Sequence, residues 1–143
     1  MIINGPNLNV LGKREPEIYG EQSFEEYLTH LRAEFSDVQI DYFQSNSEGK
    51  LIDAIQKADT GYNGLIINAA GYSHTSVAIA DAVSAIKTST LEVHISNIFK
   101  REQFRHYSYL SPVCVGIISG LGLTGYRLAV NFFTKNKKTG SDL

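Results

Sequence analysis

Cysteine occurs once in this chain, as Cys114, and tryptophan not at all. A lone cysteine excludes an intrachain disulfide. Its place in the apolar run Val113–Ile118 makes a buried thiol the expectation, as in a reducing compartment. Neither sign of charge dominates, and 13 basic against 15 acidic residues leave a formal net charge of −2. That balance excludes a nucleic-acid or anionic-membrane binder driven by bulk electrostatics. No apolar run approaches the roughly 20 residues of a membrane span, and no signal-peptide pattern opens the chain. A soluble, cytoplasmic protein is expected.

Several chemical signatures are absent as well. No G-x-G-x-x-G follows the first strand and there is no Walker lysine, so a nucleotide cofactor is unsupported. The four histidines, His30, His74, His94 and His106, show no metal-ligand spacing, and Cys114 stands apart from them. The G-x-S-x-G of a nucleophilic serine is missing. At 143 residues the chain has room for one domain with a substantial core, residues 1–143, and not for two ordinary ones.

What is present is an alternation of strands and helices. Met1-Ile2-Ile3 runs into Asn4-Gly5-Pro6-Asn7, a strand ending in a turn. The connection that follows, about residues 8–22, carries Asn9, Lys13, Arg14, Glu15 and Tyr19 together with Gly12 and Gly20. Its length and its glycine hinges predict a lid over a site. Ser23 and Glu26 form a capping box for a helix with Phe24, Tyr27, Leu28, Leu31 and Phe35 on one face. Val38, Ile40 and Tyr42 alternate with polar residues as in a half-exposed edge strand. Leu51, Ile52, Ile55 and Ala58 mark a second helix, and Leu65-Ile66-Ile67 a central parallel strand. A third helix opens at Ser73–Ser76 and buries Ile79, Ala80, Val83 and Ile86. Asp81 falls off that stripe and is expected to face solvent or another subunit. Leu91–Ile95 and Val113–Ile118 complete the strands, and a final helix buries Leu123, Tyr126, Val130 and Phe133. This order predicts an α/β fold: a flavodoxin-like three-layer sandwich with a five-stranded parallel sheet, order 2-1-3-4-5.

In such sheets ligands bind beyond the carboxyl ends of the strands, at the switch point. Three polar clusters should meet there: Asn7 to Tyr19, Asn68 to His74, and His94 to Arg105. Alternation along Leu91–Ile95 puts Glu92 and His94 on one face, where the carboxylate can orient the ring. The strand breaks at Ser96-Asn97 into a loop with Arg101, Arg105 and His106, as suits an anionic substrate. His94 is the natural proton donor. Carboxylates near the site are few, so the lid tyrosine is a candidate for the base. A phenol ordinarily ionises near pH 10, so that role needs a cation, and Arg14 lies five residues away in the same loop. The same residues also suit a polar-faced strand with a solvated basic loop. A flavodoxin-like module holding phosphate or nucleotide without catalysis is another alternative, although Pro6 removes one N–H that such a cradle would use.

Longer motifs run in order through nearly the whole chain. They are Asn4-Gly5-Pro6-Asn7-Leu8-Asn9, Leu11-Gly12, Arg14-Glu15-Pro16, Tyr19-Gly20, Asn68-Ala69 and His74-Thr75-Ser76. Then come Glu92-Val93-His94-Ile95-Ser96-Asn97, Arg101-Glu102, Phe104-Arg105-His106, Ser108-Tyr109, Ser111-Pro112, Gly120-Leu121-Gly122 and Gly125-Tyr126. On these the chain resembles the type II 3-dehydroquinate dehydratases. The resemblance implies a trans-dehydration of 3-dehydroquinate to 3-dehydroshikimate through an enolate, with no cofactor and no metal. It implies Tyr19 as the base at C2, with Arg14 stabilising its phenolate. Asn7 would hold a water on the enolate oxygen, and His94, oriented by Glu92, would protonate the departing hydroxyl. Asn68, His74, the backbone at Ile95-Ser96, and Arg105 would bind the substrate, and Arg101 matches a second lid-side arginine. Asp81 would reach in from a neighbouring subunit of a dodecamer built from trimers. Two departures stand out. Only Met1-Ile2-Ile3 precedes the first turn, where the family has a longer lead-in, and Ala69-Ala70-Gly71-Tyr72 varies a Pro/Gly-rich turn.

Overall fold

Alternating side chains divide the apolar residues of each strand between two layers. The computed structural model describes residues 1–13 and 15–139, with side chains through residue 135. The chain runs β1 (Ile2–Asn4), α1 (Pro16–Tyr19), α2 (Phe24–Glu34), β2 (Tyr42–Gln44), α3 (Glu48–Ala58), β3 (Leu65–Asn68), α4 (Val77–Ala85), β4 (Thr90–His94), β5 (Gly116–Ser119) and α5 (Thr124–Thr139). Ile2, Ile66, Leu91 and Val93 pack with Phe24, Leu28 and Leu31 of α2 and with Tyr126 and Val130 of α5. Ile3, Leu65 and Ile67 point the other way, onto Leu51 and Ile55 of α3 and Ile79 and Val83 of α4. A sheet apolar on both faces needs helices on both, and the result is the expected flavodoxin-like three-layer sandwich.

All strand pairs are parallel, and their order is β2-β1-β3-β4-β5. The chain moves outward from β1 to β2, then returns to add β3 on the other side, so the switch point falls between β1 and β3. Asn4 and Asn68 stand opposite each other there. The loops that leave them therefore start side by side. Gly5 makes this possible: its N–H donates to the Asn68 carbonyl at 2.7 Å. A Cβ at Gly5 would sit 2.6 Å from the Ala69 carbonyl oxygen, so no other residue fits.

Helix starts follow their caps. Ser23 and Glu26 make both halves of the capping box at α2. Ser47 Oγ accepts from Lys50 N at the start of α3, and Ser76 Oγ from Ile79 N at the start of α4. Each such cap contributes about 1 kcal/mol.

Three boundaries differ from expectation. β2 is an edge strand, as predicted, but pairs only over Tyr42–Gln44. Val38 and Ile40 are turned toward α2 without a ladder, and the Ile40 carbonyl accepts from Arg32 Nε at 2.9 Å instead. The fifth strand starts at Gly116, because Ser111–Val113 coil into a 3-10 turn with Pro112, which has no N–H to give a sheet. The third helix starts at Val77, since Ala70–His74 form a 3-10 turn ahead of the Ser76 cap, and Ile86 lies just beyond its end. Within residues 8–22, Leu8–Val10 form a 3-10 turn and α1 follows, with Leu8 and Leu11 buried in the core. Among the described residues no helix is long and apolar enough to cross a membrane.

Candidate active site

With Leu91 and Val93 committed to the α2/α5 layer, Glu92 and His94 must share the opposite face of β4. Both are buried, and Glu92 is 0% exposed. A carboxylate sealed from water is costly unless its lone pairs are filled. Three donors fill them. His94 Nε2 approaches Glu92 Oε1 at 2.6 Å, Ser108 Oγ donates to the same oxygen at 2.6 Å, and Ser111 Oγ donates to Oε2. Burial is the largest single influence and pushes the Glu92 carboxyl up. The hydrogen bonds and charge of His94, with the two serine hydroxyls, outweigh it and hold the group below the usual carboxylate range. An ionised carboxylate only accepts, so Nε2 carries the proton and Nδ1 is the ring nitrogen left for other work.

His74, on the turn after β3, lies nearly parallel to His94, with ring centroids 5.8 Å apart and planes at 22°. Its Nδ1 faces the Tyr107 carbonyl at 2.7 Å. A carbonyl cannot donate, so the proton sits on Nδ1 and Nε2 presents a lone pair. Burial lowers the pKa of His74, and the positive side of His94 and Arg105 lowers it further, which favours the neutral ring.

Asn68 closes β3 and is clamped at both ends. Its Nδ2 donates to Tyr126 Oη at 2.9 Å, and its Oδ1 accepts from Ala70 N at 3.1 Å. Tyr126, fully buried, donates its own hydroxyl hydrogen bond to Asn4 Oδ1 at 2.8 Å, and burial drives its pKa far up. One hydroxyl on α5 thus ties together the two asparagines at the switch point. Asn7 and Ala70, one on each loop leaving that point, hold left-handed φ values of 70° and 52°. Such backbone is strained for alanine and is held by its surroundings. Asn7 N donates to Asn46 Oδ1 at 3.0 Å, as Ala70 N does to Asn68.

Tyr19 ends α1, and its hydroxyl oxygen accepts from Arg101 Nη1 at 2.8 Å. The same guanidinium lies 5.7 Å from the Tyr19 ring centroid and also reaches Ser96 Oγ at 3.4 Å. Arg105 is steadied by Glu102, whose Oε2 accepts from its Nε at 2.8 Å.

Asn7, Tyr19, Asn68, His74, His94, Ile95, Ser96, Arg101 and Arg105 line one cavity of about 120 Å³. Its size suits a small ligand within reach of all of them. Glu92 stands behind His94. Asp81 lies exposed on α4 and is not among the residues that line the cavity. Arg14 lies outside the described residues. Three groups that sequence reasoning assigned no role prove structural to the site: Ser108 and Ser111 behind Glu92, the Tyr126 hydroxyl with Asn4, and Asn46 behind Asn7. Among the described residues no three His, Cys, Asp or Glu side chains are grouped to hold a metal ion.

The chain as a whole has close counterparts. A family model described as "Dehydroquinase class II" matches residues 1–134. A 3-dehydroquinate dehydratase from Bacillus pumilus is 50% identical over 134 residues, covering 92% of this chain and 91% of that protein. The crystal structure of a type II dehydroquinase from Butyrivibrio crossotus superimposes with a TM-score of 0.88 at 45% identity, covering 93% of this chain and 94% of the other. That of a type II dehydroquinase from Propionibacterium acnes gives a TM-score of 0.90 at 39% identity, with 94% of each covered.

Proposed function

The chain belongs to the class II dehydroquinase family, and we propose how this 3-dehydroquinate dehydratase works: Tyr19 is the base and His94 the acid. One observation carries the reading. The phenol and the imidazole line the same small cavity, and each is held by a charged partner, Arg101 on Tyr19 and Glu92 on His94. Family membership displaces the alternative of a phosphate- or nucleotide-holding module.

Tyr19, as phenolate, takes the C2 proton of 3-dehydroquinate, and the electron pair left behind forms an enolate. Arg101 places positive charge on the phenol oxygen, with Arg14 as a second cation. Asn7 holds the water that hydrogen-bonds the enolate oxygen, where negative charge accumulates in the transition state. The enolate then expels the hydroxyl, which leaves as water with the proton from His94 Nδ1. The other ring proton stays on Nε2 throughout, hydrogen-bonded to the Glu92 carboxylate. Tyr19 ends protonated and His94 one proton short, and transfer of a proton through solvent restores both.

Arg105, the backbone at Ile95-Ser96, and Asn68 bind the substrate's carboxylate and hydroxyls. His74 accepts from a substrate hydroxyl through its free Nε2 lone pair. We read residues 1–143 as one catalytic domain working in the cytoplasm, with residues 8–22 as its lid. Asp81, exposed on α4, serves the site of a neighbouring copy in a homo-oligomer, a dodecamer of trimers. The test is the growth of conjugated-enone absorbance on adding 3-dehydroquinate, together with the assembled mass in solution. Absence of turnover by the assembled protein would overturn the reading.

A further inference from the structure

We propose that Ser108 and Ser111 are positioning residues: their hydroxyls hold the Glu92 carboxylate ionised and aimed at His94 Nε2, and so fix Nδ1 as the nitrogen that delivers the proton. The inference deepens the function proposed above and rests on His94 being the acid.

The geometry of Ser108 gives the direction of its hydrogen bond. Its oxygen already accepts from Leu110 N at 3.1 Å and from Ser111 N at 3.2 Å. A hydroxyl has two lone pairs and one proton. With both lone pairs taken by backbone N–H groups, the proton has one destination, Glu92 Oε1 at 2.6 Å. The turn that follows β4's loop therefore presents a fixed donor, 8% exposed, to a carboxylate that water does not reach. Ser111 supplies Oε2 with a donor of its own. Glu92 is thus met by donors on both oxygens, an arrangement that favours the charged over the protonated form. A neutral Glu92 would carry its own proton and leave one of the three donors without an acceptor. An ionised Glu92 keeps both oxygens as acceptors, Oε1 among them, and so favours the His94 proton at Nε2.

The other titratable groups near the pair come from three segments. They are His74 on the turn after β3, Arg105 on the loop after β4, and Cys114 just ahead of β5. Burial favours the neutral form of His74 and pushes the Cys114 thiol up to about 12, so neither is charged at neutral pH. Arg105 is charged, but it is exposed in part and already paired with Glu102. The charge state of Glu92 is left to His94 and the two serines.

The experiment is kcat and KM for 3-dehydroquinate across acid and neutral pH in wild type, Ser111→Ala, Ser111→Thr and the Ser108→Ala/Ser111→Ala double variant. Ser111 is the cleaner site, because Ser108 also caps the turn. In Ser111→Ala the acid limb of kcat should move up by about one pH unit, with KM changed less than about twofold. The double variant should move further, and Ser111→Thr, which keeps the hydroxyl, should restore the wild-type limb. A uniform drop in kcat with an unmoved limb, or an effect confined to KM, would overturn the proposal. A second readout needs no turnover: NMR of ¹⁵N-labelled histidine, with His94→Gln for assignment. Wild type should show His94 protonated at Nε2 and the double variant a mixture of ring tautomers. An unchanged tautomer in the double variant would also overturn it. An inactive wild type that still shows this tautomer change would sink the proposed function and leave the role of the serines standing.

Discussion

Arg101 Nη1 lies 2.8 Å from the hydroxyl oxygen of Tyr19, although 82 residues separate them along the chain. This contact joins the segment after β1 to the loop after β4, and both residues line the cavity. It also puts a guanidinium donor on the one atom that must carry negative charge if Tyr19 is the base.

Two variants test that relationship together. Tyr19→Phe should lower kcat about 10²- to 10⁴-fold while substrate binding, followed by calorimetry, changes little. Arg101→Ala should also lower kcat, yet add nothing further in the Tyr19→Phe background, because the two groups act as one unit. Independent, multiplying losses would place Arg101's contribution elsewhere in the cavity.

His94→Ala should cost kcat a comparable 10²- to 10⁴-fold, roughly, since the departing hydroxyl then leaves without its acid. Arg105→Ala should instead raise KM more than it lowers kcat. Steady-state kinetics on the two variants should show this split, and the reverse pattern would exchange their roles.

Acid stability should follow Glu92. Its folded-state pKa is depressed below the ordinary 4.5. Its contribution is therefore complete above 4.5 and is lost as the pH falls through the lower folded value. Urea midpoints for wild type should decline over that acid range. Glu92→Gln keeps the volume and removes the charge, so it should flatten that part of the curve and cost about 1–3 kcal/mol at neutral pH.

Tyr126→Phe removes a hydroxyl that satisfies both Asn68 Nδ2 and Asn4 Oδ1. Urea unfolding should report a loss of about 1–3 kcal/mol, the cost of buried polar groups left unpaired. KM should rise as well, since Asn68 loses its clamp. A stability loss with unchanged KM would separate the switch-point asparagines from substrate binding.

Cys114 should behave as an inert thiol, since burial pushes it up to about 12. A disulfide exchange reagent at neutral pH should label it slowly in the native protein and at least about tenfold faster in denaturant.

Much of this arrangement is legible in the sequence. Period two along Leu91–Ile95 was enough to put Glu92 beside His94, and Ser23 with Glu26 marked the start of α2. The strand order followed from a β/α alternation with one half-exposed strand. Boundaries fared worse where apolar residues were used for something other than a ladder. Val113 belongs to a turn, and Ile40 is buried with its carbonyl bound to a side chain. The serines behind Glu92 were illegible for a different reason. They lie 16 and 19 residues from it along an irregular loop with no periodicity to reveal which side chains return to the sheet. Tyr126 was placed in the core by its helical spacing, but nothing in that spacing says its hydroxyl would bridge two asparagines.

Gly5 sets a limit on how far this molecule can drift. Any side chain there would meet the Ala69 carbonyl and wedge apart the two loops that carry Asn7 and His74. Conservative engineering of the cavity walls, or random mutation under selection, can therefore roam widely around that vertex but not through it. A library randomised at position 5 should return glycine almost alone among active clones, even though that residue does not line the cavity.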